Sequence, residues 1–103
     1  MKKAFFGPGG NSEAFSLAGF KSTVDAPAWL AGIGLDAYEY EAGNGLSASA
    51  STLRAIGEAA RVNNIKMSYH TPYFISLSGV VTETRLKSIG YIRESIDAAL
   101  KKI

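Results

Sequence analysis

Apolar positions in this chain gather in short runs, separated by longer stretches where they recur at helical spacing, and this alternation predicts strand then helix three times over. Lys3 to Phe6 is the first run. Gly7-Pro8-Gly9-Gly10 stops it, because glycine adopts backbone angles that other residues resist and proline lacks a donor. Asn11 to Ser22 has mixed polarity around Phe15, Leu17 and Phe20 and is expected to be a loop, with room for a helical turn, packed by its aromatics. Thr23 or Asp25 can cap a helix that carries Pro27 in its first turn, where the missing N–H costs nothing. Trp29, Leu30 and Ile33 supply its inward face, with Trp29 expected in the core, and Gly32 and Gly34 end it.

Leu35 to Tyr40 reads as a second strand that leaves through the polar, glycine-rich Glu41-Ala42-Gly43-Asn44-Gly45. Between Ser47 and Ser51 serine alternates with alanine, which offers several caps to a helix whose Leu53, Ile56 and Ala60 share a face and which stops at Asn63-Asn64. Lys66 to Tyr69 is the third strand. Thr71-Pro72 forbids its regular continuation, so His70, the only histidine, falls at a strand's carboxyl end. Thr82, Glu83 and Arg85 open the last helix, in which Leu86, Ile89, Ile96, Leu100 and Ile103 hold one stripe. The expected fold class is α/β, a βαβαβα parallel unit with right-handed crossovers and all three strand exits on one edge. In parallel α/β folds that edge carries the chemistry.

Composition narrows the picture without changing it. A chain of 103 residues that is 47% hydrophobic and 19% charged suits one domain with a modest core, residues 1–103. Eleven Lys and Arg against nine Asp and Glu leave a charge of +2, but the basic residues are scattered except at the termini, so charge alone does not argue for nucleic acid. With no cysteine, disulfides and thiolate metal sites are excluded, and any metal must be held by imidazole, carboxylate or carbonyl groups. Neither a signal peptide nor a membrane span is legible, and a cytoplasmic chain is expected.

The candidate chemistry lies around the second and third strand exits. His70 is the candidate metal ligand. Glu39 and Glu41 flank Tyr40 and by alternation point the same way, as pocket carboxylates or as solvated loop carboxylates. Tyr73 and Phe74 follow His70 in a loop, where an aromatic pair can stack on an unpaired base or pack on the helix layer. Gly7-Pro8-Gly9-Gly10 lacks the spacing of nucleotide-binding motifs and reads as a turn that keeps the strand mouth open, with phosphate binding by its amides as the second reading.

The stretch His70-Thr-Pro-Tyr-Phe-Ile-Ser-Leu-Ser-Gly79, with the Gly7 to Phe15 opening and the Leu35 to Gly45 turn in the same order, resembles the N-terminal portion of the endonuclease IV family. These are metal-dependent abasic-site nucleases within the xylose-isomerase-like TIM barrels. Two departures place the chain nearer an archaeal-type branch: Gly7-Pro8 stands where many bacterial members carry histidine, and Ser76 where asparagine is common. A (β/α)8 barrel has eight strands and about 250 residues, so the resemblance implies the first three βα units of such a barrel, a fragment. It further implies that His70 is a zinc ligand, with manganese as the alternative, that Tyr73 and Phe74 lie beside the DNA, and that other ligands come from later strands. The implied function is a phosphodiesterase acting at abasic sites in DNA repair, inactive as this fragment alone. The alternatives are a sugar isomerase or epimerase of the same superfamily and a non-catalytic assembly module. Unpaired strand edges and uncovered apolar side chains lead to the expectation of self-association and no membrane partner.

Overall fold

The computed structural model of the chain describes residues 3–43 and 48–102, the last two by their backbone alone. Two parallel strands, β1 (Ala37–Glu41) and β2 (Lys66–His70), form the sheet. Around it lie four α-helices: α1 (Glu13–Leu17), α2 (Ala26–Gly32), α3 (Ala50–Val62) and α4 (Thr82–Asp97). A 3₁₀ turn, Thr23–Asp25, precedes α2, and a π-helical turn, Ala98–Lys102, continues α4. The architecture is a small mixed α/β unit with a parallel sheet.

The register pairs Ala37 with Lys66, Glu39 with Ser68 and Glu41 with His70, so these six share one face by the two-residue period of a strand. Tyr38, Tyr40, Met67 and Tyr69 occupy the other, which meets the core of Phe15, Ala26, Leu30, Ala60 and Ile65. Serines open two helices as expected of their hydroxyls. Ser12 accepts from the Phe15 amide and Ser49, within the anticipated capping stretch, accepts from Thr52. Helix α3 buries Leu53, Ile56 and Ala60 and ends at Asn63, with Asn64 at a left-handed φ of 56° that asparagine tolerates better than most residues. The anticipated loop from Asn11 to Ser22 contains the short α1, whose buried Phe15 stacks on Phe20 and meets Trp29 edge-on. Asn44, Gly45, Ser47 and Ile103 lie outside the described residues.

Three expectations are corrected. Lys3 to Phe6 is not a strand. The Phe6 amide donates to Asp36 Oδ1 (2.7 Å) and both the Asp36 and Ala37 amides converge on the Phe6 carbonyl, so a side chain takes the place of a ladder partner. The segment still runs beside β1, with one parallel bridge between Gly9 and Glu39. Gly7 makes the approach possible, since a Cβ there would overlap the Ala37 carbonyl oxygen.

Ile33, expected inward, is half exposed. The stripe of α4 is also turned outward: Leu86, Ile89, Ile96 and Leu100 are exposed, while Ser88, Ser95 and Ala98 are buried. Small residues let α4 lie close, and each serine satisfies its hydroxyl by donating to the carbonyl four residues back, Thr84 and Tyr91.

Candidate functional site

Glu41 and His70 close β1 and β2, Glu39 stands at the middle of β1, and all three lie on the face away from the core. They are present because both strands alternate: tyrosines and methionine go to the helices, and the residues between them go to the open side. One ligand atom from each of the three residues lies within 4.8 Å of the others. His70 Nδ1 stands 3.6 Å from Glu41 Oε2 and 2.8 Å from its neighbour's carbonyl, Thr71 O. With the proton on Nδ1, the ring donates to that carbonyl and its lone pair is on Nε2, the tautomer that backbone carbonyls fix behind metal-bound imidazoles.

Each carboxylate is also placed from a second direction. Ser68, the register partner of Glu39, donates its hydroxyl to Glu39 Oε2 at 2.7 Å, leaving Oε1 uncommitted to that bond. Glu41 leans over the loop after the N-terminal segment, where a Cβ on Gly9 would lie 2.7 Å from its Oε1 and one on Gly10 3.1 Å from its Cγ. Gly10 has a φ of 76° and donates its amide to the Glu39 carbonyl. The glycine loop therefore makes room for a carboxylate, a role its spacing did not reveal. On the same face Gly7, Gly9, Glu39, Lys66 and Ser68 line an open cleft of about 360 Å³.

The loop after His70 is tied down at several points. The Tyr73 amide donates to the Gly43 carbonyl, which joins the exits of the two strands. Ser88 of α4 accepts from the Ser76 amide, and Arg85 donates to the Gly79 carbonyl. Tyr73 and Phe74 meet edge-on with ring centroids 5.9 Å apart, but they differ in burial. Phe74 packs edge-on against Tyr91 of α4 with ring centroids 4.8 Å apart, whereas Tyr73 is 72% exposed. On the core face Tyr40 stacks on Tyr69, and burial pushes both phenols above their ordinary range.

One imidazole nitrogen and two carboxylates suit zinc or manganese, both of which take nitrogen and oxygen donors, and catalytic zinc sites keep three ligands from protein. No helix among the described residues is long and apolar enough to cross a membrane. Comparisons with protein-family models, with curated proteins and with solved structures found no match.

Proposed function

We propose that this chain is the N-terminal part of a metal-dependent phosphodiesterase of the endonuclease IV type, acting at abasic sites in DNA. The observation that carries the reading is His70, at the carboxyl end of a parallel strand, exposed on the face away from the core and beside two carboxylates. In a (β/α)8 barrel the helices pack outside and the active site forms at the carboxyl ends of the strands. The core face of β1 and β2 would then be the outer wall, and the N-terminal segment, β1 and β2 the first three staves.

In this reading His70 would hold zinc, or manganese in its place, through Nε2, with the Thr71 carbonyl orienting the ring. Such an ion supplies hydroxide at neutral pH and neutralises charge on a phosphodiester. Tyr73, projecting from a loop pinned to Gly43 and, through Ser76, to α4, offers an exposed ring to a nucleotide beside the missing base. A chain without cysteine suits a reducing cytoplasm.

The open cleft gives the second reading its support. At about 360 Å³, lined by Glu39, Lys66 and Ser68 together with Phe5 and Met67, it is of a size for a sugar and offers it polar groups, as an isomerase or epimerase would need. Strand scission of an abasic duplex by the full-length protein loaded with zinc or manganese tests the first reading. Metal-dependent cleavage that falls at least about a hundredfold in His70→Ala is expected. Intact DNA together with aldose–ketose interconversion would transfer the site to the second. The 103-residue chain alone is expected not to cleave, since its single histidine cannot hold a cluster of several ions.

A further inference from the structure

We infer that His70, Glu41 and Glu39 together form one divalent-cation site complete enough for this chain to bind a single zinc or cobalt(II) ion by itself. The two carboxylates are an addition to the phosphodiesterase reading, with which the inference shares only His70.

Three independent features converge on the same point. The parallel register sets Glu41 directly opposite His70 and Glu39 one pleat away on the same face, so backbone pairing alone brings one nitrogen and two oxygen donors together. Each donor is then oriented by a group outside the trio: the Thr71 carbonyl holds His70 Nδ1, the Ser68 hydroxyl holds Glu39 Oε2, and the bare Gly9 and Gly10 leave room for Glu41. Such outer partners are what fixes a metal ligand's tautomer and direction. Finally, the composition of the trio is selective. Two carboxylates and an imidazole balance the charge of a divalent ion, while the absence of thiolate disfavours copper(I) and favours first-row divalent ions, zinc and cobalt(II) among them. Carboxylates merely sharing a solvated edge would need no imidazole facing them and no glycines beneath them.

The inference predicts that the chain takes up one equivalent of zinc in isothermal titration, and that cobalt(II) gives visible d–d bands of a low-coordinate nitrogen and oxygen site. Glu41→Gln and His70→Gln are each expected to weaken zinc binding by about tenfold to a hundredfold, and Ser68→Ala by less. These side chains are exposed or half-buried, so circular dichroism should stay unchanged. Zinc binding lost in His70→Gln but equal to wild type in both Glu39→Gln and Glu41→Gln would overturn the inference while leaving the phosphodiesterase reading intact. A chain that binds zinc with all three residues, joined to a full-length protein that leaves abasic DNA uncut, would do the reverse. No uptake of zinc or cobalt(II) by the folded chain also overturns it.

Discussion

Gly9 and Glu41 occupy the same space: a Cβ on the glycine would stand 2.7 Å from the carboxylate's Oε1. The clash is with the end of a flexible side chain, and Gly9 has no positive φ, so the backbone tolerates alanine. Gly9→Ala is therefore expected to leave the melting temperature within a few degrees of wild type while pushing Glu41 away from His70 and lowering zinc affinity severalfold. Calorimetric titration alongside a thermal melt checks both halves, and a variant that melts early but binds normally would show that the glycine serves the turn and not the carboxylate.

Asp36 ties down the N-terminal segment and makes its docking depend on pH. The Phe6 amide, and then the Lys3 ammonium 3.1 Å away, hold its carboxyl below the ordinary range. A pKa lowered on folding contributes stability that is present above the unfolded value and is lost as pH falls through the folded one. Wild type and Asp36→Asn are expected to differ most at neutral pH and to converge in acid, with amide exchange at Phe6 rising in the variant. Parallel melting curves for the two proteins from neutral to acid pH would remove Asp36 from this role.

Tyr73 and Phe74 separate a binding effect from a packing effect. Phe74→Ala removes a ring set edge-on against Tyr91 and is expected to cost about 1–2 kcal/mol, several degrees of melting for a domain of this size. Tyr73→Ala should cost less stability, since the residue is 72% exposed though its ring meets Phe74 edge-on, and in the full-length protein should weaken binding to abasic duplex by about tenfold. Loss of DNA affinity in the Phe74 variant alone would reverse the assignment.

Much of this was legible because strands announce themselves by alternation. Tyr38, Tyr40, Met67 and Tyr69 against Glu39, Glu41, Ser68 and His70 is a period of two with opposite polarity, and it fixes both the two strands and the side on which carboxylates and imidazole meet. The first segment was misread because Phe5 and Phe6 look like a strand's buried residues, whereas both are exposed and pairing there is broken by a side chain, Asp36. The pattern of helix α4 misleads for a related reason. Hydrophobicity selects its large residues as the inner face, but close packing selected Ser88, Ser95 and Ala98, and serine's ability to satisfy its hydroxyl within its own helix carries no periodic signal. Nor could spacing show that Gly9 and Gly10 lie under Glu41, a contact between segments about thirty residues apart.

The outward stripe of α4 leads to the remaining prediction, that the chain associates with itself. Leu86, Ile89, Ile96 and Leu100 stand between 41% and 81% exposed on one helix, next to Val80 and Val81, which are also uncovered. An apolar surface of this kind is rarely left to water by a soluble monomer. The sheet adds a second incentive, because β2 pairs only with β1 among the described residues and its other side offers free backbone donors and acceptors. A second copy can cover both at once, and sedimentation across a range of concentrations should show a dimer or larger species. Ile89→Glu combined with Ile96→Glu should shift that equilibrium strongly toward monomer without unfolding the chain, since neither side chain belongs to the core. If the double variant associates as wild type does, the contact runs through the sheet edge instead, and amide protection along β2 that rises with concentration would locate it there. A wild-type chain that stays monomeric throughout, with its β2 amides already protected at the lowest concentration, would mean that neither surface draws a partner.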